Sequence, residues 1–128
     1  NSHETSYHRF GTFKAPKYIS WSTKNLSQLL RLSWDLGESS KAQLRSPDVM
    51  CNPYLALALL INAGIEGIEN KETLPPAVDV KVTQNYAKAN GITELPGDIR
   101  EAVEMAENSE FVRRVLPKRL IQAFTSKR

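Results

Sequence analysis

Apolar and polar positions change their period several times along this chain, and each change marks an element. Residues 18–22, YISWS, alternate strictly, with Tyr18, Ser20 and Ser22 on one face and Ile19 and Trp21 on the other. That period of two predicts a strand. Residues 26–34, LSQLLRLSW, fit a second strand, with Leu30 and Leu32 facing one way and Leu29, Arg31 and Ser33 the other. Residues 35–40, DLGESS, read as a turn, and 41–45, KAQLR, as a third strand returning. Short strands joined without helices predict antiparallel pairing.

The period then lengthens. Asn52 is a good helix N-cap and Pro53 suits the first helical position. Tyr54 to Leu60 is apolar all round, which predicts a helix buried on nearly every side. Gly64 could end it, but Leu57, Ile61, Ile65 and Ile68 continue one stripe. The helix is therefore expected over 52–70, with Gly64 and Gly67 each costing about 1 kcal/mol and another backbone close by. Pro75, Pro76, Pro96 and Gly97 bracket a long connection with room for a short turn of helix. Residues 99–108 are helical, with Ile99, Ala102, Val103 and Ala106 towards the core. Ser109 can cap residues 110–115, and Pro117 can begin a last helix carrying Leu120, Ile121 and Phe124. The fold class is α+β: a loop or flap over 1–17, strands over 18–45, the buried helix, and closing helices over 98–128.

Composition narrows the function classes. A chain of 128 residues, 41% hydrophobic and 24% charged, suits one soluble globular domain with a modest core. Its net charge of +3 gathers near the end, at Arg113, Arg114, Lys118, Arg119, Lys127 and Arg128. Without interleaved aromatics or a nucleic-acid motif, this reads as a solvated helix face rather than a nucleic-acid surface. Cys51 is the single cysteine, which excludes an internal disulfide and a thiolate metal cluster and fits a buried structural thiol. The run from Tyr54 to Ile61 is too short to cross a bilayer and no signal peptide is visible, so a cytoplasmic setting without a membrane partner is expected. His3 and His8 lack companions for a metal site, and Glu66, Glu69 and Glu72 read as a solvated helix end. There is no P-loop and no nucleophile elbow.

Several motifs carry a resemblance. "SYHR" followed by "KAPKYISWS", "NLSQLLR" and above all "RSPD…CNPYLA…AGIEGIENK" resembles the C-terminal part of the glutamine synthetase catalytic domain, strongly over residues 6–76. Pro47, Asp48, Asn52, Pro53, Tyr54, Gly64 and Gly67 are its most specific positions. The tail "LPGDIREAVEMAENSEFVRRVLP" is similar to that family's closing helices, more loosely. The resemblance implies an ATP-dependent ligase joining glutamate and ammonia through γ-glutamyl phosphate, with Mg²⁺ or Mn²⁺. It also implies sites shared between subunits of a ring-type homo-oligomer. By family position Arg9 and Arg45 hold glutamate, Arg31 faces the phosphoryl group, and Arg31 and Arg45 are the catalytic pair. Arginine suits these roles because its rigid fork matches carboxylate and phosphate oxygens.

Three positions depart from the family pattern. Lys14 stands where a glutamate precedes Ala-Pro, Leu26 where an arginine helps the nucleotide phosphates, and Gln43 where a glutamate binds metal. Gln43 keeps a carbonyl oxygen but not the charge that makes divalent cations bind strongly. Two readings of the parent protein stay open: a divergent synthetase, or a non-catalytic binding or assembly subunit. The chain by itself is expected to be an inactive C-terminal portion that, with its apolar helix in need of cover, self-associates or is only marginally stable.

Overall fold

The computed structural model of the protein describes residues 1–33 and 41–126. Trp34, the turn expected over 35–40, and Lys127 and Arg128 lie outside the described residues. The chain forms two compact units, one of residues 9–48 and 75–95, the other of residues 1–8, 49–74 and 96–128. The α+β class is the one expected.

The first unit holds a three-stranded sheet in the order β1-β2-β3: β1 (Trp21–Ser22), β2 (Leu30–Ser33) and β3 (Lys41–Leu44). β2 and β3 pair antiparallel as expected, with Arg31 opposite Gln43. The β1–β2 pairing is parallel, which corrects the expectation for that pair. A parallel connection ordinarily needs a dozen residues or more. Here residues 23–29 suffice, because β1 contributes only Trp21 and Ser22 to the ladder and side chains close the loop. The Ser22 hydroxyl accepts from the Lys24 and Asn25 amides, each at 2.9 Å, and Asn25 Oδ1 accepts from the Ser27 amide at 2.9 Å.

The alternation over 18–22 is real, but the face turned inward is Tyr18, Ser20 and Ser22, while Ile19 is exposed. Buried hydroxyls need partners, and they have them. Ser22 donates to Asp79 Oδ1 at 2.6 Å, and Ser20 donates to Gln28 Oε1. Gln28, itself buried, donates to the Val80 carbonyl at 3.1 Å. The connection after Pro75 thus packs as part of this unit, with Val78 buried and its amide bonded to the Trp21 carbonyl at 2.8 Å. The turn of helix expected there is a fully capped element, α3 (Gln84–Asn90), with Thr83 as N-cap and left-handed Gly91 as C-cap. Beyond it Glu94 bridges to Tyr18 and pairs with Lys17 at 2.9 Å.

In the second unit, residues 5–8 of the expected loop form a short helix, α1 (Thr5–His8), whose Tyr7 is buried. The Glu4 carboxylate accepts from the Ile99 amide at 3.3 Å, adding a partner at the start of α4 (Ile99–Asn108). α2 (Pro53–Glu69) starts as expected: Asn52 Oδ1 accepts from the amides of Tyr54 and Leu55. α4 shows its predicted face half-buried, Ser109 caps α5 (Glu110–Val115) through Val112, and α6 (Lys118–Thr125) follows Pro117. Glu66 is not merely solvated, because it pairs with Arg114 of α5. Cys51 is half-buried rather than buried.

The burial expected around α2 is not met. None of its residues is buried, Tyr54 is 84% and Ile68 79% exposed, and Leu57 and Ile61 stand open. A Cβ at Gly64 or Gly67 would meet nothing within 4 Å, so the close neighbour expected there is absent among the described residues. The physical reason is supply: α2 packs chiefly on the short α5, which cannot cover a helix apolar on all sides.

Two outcomes follow from this packing. The chain is expected to self-associate in light scattering, with Leu57→Lys plus Ile61→Lys shifting it to monomer. A wild-type monomer with one sharp two-state melt would contradict this. The hydrogen bond that Lys17 donates to Glu94, followed by that carboxylate's charge, raises the Lys17 pKa above its ordinary value. A raised lysine pKa stabilises the fold fully below the unfolded value and loses that contribution as pH rises through the folded one. The stability difference between wild type and Lys17→Met should therefore shrink at strongly alkaline pH, measured by urea titration across that range.

Candidate functional site

The register of β2 and β3 decides which side chains can work together. Residues opposite each other in an antiparallel pair share a face, as do residues two apart on one strand. Arg31, opposite Gln43, therefore shares a face with Gln43 and Arg45. Leu30, Leu32, Ala42 and Leu44 take the other face. The alternation separates a cationic face from an apolar one.

Arg45 Nη1 donates to Gln43 Oε1 at 3.3 Å, and its Nη2 donates to the Lys14 carbonyl at 3.2 Å. Arg9 reaches the same place from the loop before the sheet. It donates to the Ser46 carbonyl and, at 3.5 Å, to the Arg45 carbonyl, with its guanidinium 5.1 Å from the centre of the Phe10 ring. The four residues expected from sequence, Arg9, Arg31, Gln43 and Arg45, thus belong to one region, and the Lys14 backbone joins them.

The Nε atoms of Arg9, Arg31 and Arg45 are all shielded from solvent without a hydrogen-bond partner. A shielded N–H lacking an acceptor is costly, so each of these guanidiniums keeps one charged donor that an oxyanion oxygen would satisfy. A divalent cation does not fit the described residues. Gln43 offers one neutral oxygen, already accepting from Arg45, and no group of three His, Cys, Asp or Glu that could hold a metal occurs among the described residues. Hard cations need several anionic or carbonyl oxygens.

A cavity of about 530 Å³ lies in the same unit, lined by Leu26, Lys14, Lys17, Lys24, Lys81 and Phe13, among others. Leu26 is thus placed at a cationic hollow, although its own side chain is apolar. Lys17, Lys24, Lys81 and Phe13 escaped the sequence reading, whereas Lys14 was marked by it. Lys24 beside Asn25 offered a weak local signal; Lys81 offered none, because only the fold brings residue 81 to residue 24. Among the described residues no helix is long and apolar enough to cross a membrane.

Comparison with known proteins gives this geometry a setting. The family model described as "Glutamine synthetase, catalytic domain" matches residues 1–128. The glutamine synthetase of Methanosarcina mazei is 40% identical over 107 residues, covering 81% of this chain and 24% of that protein. That of Thermus thermophilus is 39% identical with the same coverage, and that of Thermotoga maritima 36% identical over 115 residues, 88% of this chain and 26% of the relative. The chain spans about a quarter of the length of the curated relatives it matches. A solved structure titled "GmaS/ADP complex" shares the fold, with a TM-score of 0.70 at 23% identity over 89% of this chain and 25% of that one.

The hydrogen bonds fix different expectations for two variants. Arg9→Ala removes a charged donor from two carbonyls in a half-buried place and should cost about 1–2 kcal/mol in chemical denaturation. Gln43→Glu lies at an exposed position and should change stability by less than about 1 kcal/mol.

Proposed function

The chain belongs to the glutamine synthetase catalytic-domain family, and from that membership we propose that it forms the oxyanion-holding part of an ATP-dependent ligase joining glutamate to ammonia. The observation that carries this reading is the set of three shielded, unpartnered Nε–H groups on Arg9, Arg31 and Arg45. Arg9 and Arg45 hold glutamate's carboxylate, and Arg31 faces the phosphoryl group. In the reaction an oxygen of the γ-carboxylate attacks the γ-phosphorus of ATP and ADP leaves. Ammonia then attacks the acyl carbon of γ-glutamyl phosphate, phosphate leaves with the bonding pair, and the nitrogen loses a proton. Guanidiniums held on β2 (Arg31), just past β3 (Arg45) and against the Ser46 carbonyl (Arg9) lower the cost of both charge-bearing steps without reorganising.

The residues present assign no step to a divalent cation, because Gln43 is engaged by Arg45. The remainder of the site comes from other parts of a longer protein and from neighbouring subunits of a ring-type homo-oligomer in a cytoplasmic setting. The Arg45–Gln43 bond, with Lys14 and Leu26, also favours a second reading, a degenerate binding or assembly subunit. In that case the arginines hold a ligand without turning it over.

Calorimetric titration of the 128-residue chain with glutamate separates these ideas. Binding that Arg45→Gln weakens by ~10-fold or more is expected, as for loss of a charged donor. The chain alone should form no γ-glutamyl hydroxamate with ATP. Glutamate binding indifferent to Arg45→Gln would overturn the assignment, and no glutamate binding at all would leave the second reading.

A further inference from the structure

We propose that the helical unit of residues 1–8, 49–74 and 96–128 binds a small, uncharged, apolar molecule in the cavity between its helices. Leu55 and Leu59 of α2, Ala102 and Ala106 of α4, Val112 of α5 and Phe124 of α6 line this cavity of about 250 Å³. No aspartate, glutamate, lysine or arginine lines it. None of the lysines at the other hollow, and none of Arg9, Arg31 and Arg45, belongs to this unit.

The packing of the unit explains why such a cavity exists. α2, α4, α5 and α6 have no buried residue, although each turns apolar side chains towards the same place. The six lining residues named above are half-buried. Apolar surface that close packing would remove from water is therefore still presented inside the cavity. Ala102 and Ala106 stand one turn apart on α4, on the face expected to meet the core. Their single methyl groups leave width where larger side chains would fill it.

The polar groups around the lining use their capacity inside the fold. Asn52 Oδ1 accepts from the amides of Tyr54 and Leu55, the Tyr7 hydroxyl donates to the Asn1 carbonyl at 3.1 Å, and the Thr125 hydroxyl donates to the Gln122 carbonyl at 3.5 Å. A charged ligand would lose its hydration here with nothing to replace it. An apolar one gains by covering its own surface and that of the walls. Spaces between the helices of bundles are frequent small-molecule sites, and an apolar cavity of about 150 Å³ takes up benzene. At about 250 Å³ this one has room for a substituted benzene ring. The inference goes beyond the ligase reading and does not depend on it.

The test titrates the 128-residue chain calorimetrically with toluene and, separately, with benzoate, which is similar in shape but charged. Toluene should bind and benzoate should not. Ala106→Leu fills the cavity and should weaken toluene ~10-fold or more, since each methylene's worth of burial lost counts for about 4-fold. Ala102→Leu repeats the test one turn away should Ala106→Leu fail to fold, and circular dichroism checks each variant. Leu57→Lys with Ile61→Lys changes residues outside the lining and should leave toluene affinity as it was. Loss of binding in that variant would put toluene on the exposed stripe of α2 and overturn the proposal. So would no toluene binding, equal binding of benzoate, or toluene binding indifferent to a folded cavity-filling variant.

Discussion

The Ser22 hydroxyl, fully shut away from solvent, has one proton to donate and two lone pairs to offer, and all three are used. It donates to Asp79 and accepts from the amides of Lys24 and Asn25. The hydroxyl ties the end of β1 to the loop that follows it and to a segment more than fifty residues further along the chain. With Gln28 bridging Ser20 and Val80, it forms a buried polar node that takes the place of an apolar core beneath β1. A half-satisfied node of this kind would be worse than an apolar core; a complete one specifies a single geometry.

Both chemical features of the unit follow from that geometry. The closed loop after Ser22 carries the chain into β2 alongside β1, which sets Arg31 across from Gln43 and beside Arg45. The same loop presents Lys24 and Leu26 to the hollow that Lys81 lines from the bonded segment. The arginines about β2 and β3 and the lysines at the hollow are thereby sorted into distinct places. Lys14 belongs to both: its carbonyl accepts from Arg45, and the residue lines the cavity.

Gln43 shows how one atom changes a site's chemistry. A carboxylate between Arg31 and Arg45 would cancel part of their charge and add an anchor for a metal. The amide leaves the guanidiniums uncompensated, and its oxygen serves as an acceptor for one of them. The donor set on this face is consequently more cationic than a glutamate would allow.

Much of this was legible in the sequence, and the reasons differ by element. Asn52-Pro53 announced the start of α2, residues 99–108 and the Ser109 cap announced α4 and α5, and strand alternation announced the two faces at 18–22 but not which of them turns inward, because caps and periods are local physics. Motif spacing marked Arg9, Arg31, Gln43 and Arg45. The parallel course of β1, the exposure of α2 and the meeting of Lys24 with Lys81 were not legible. Each depends on a partner distant in sequence: Asp79 for Ser22, the limited cover from α5 for α2, and Val80 for the loop carrying Lys24. The sequence by itself determined the elements, the family and the arginines; tertiary structure decided which faces are covered and which charges converge, because burial and long-range hydrogen bonds are properties of the assembled chain and not of any window along it.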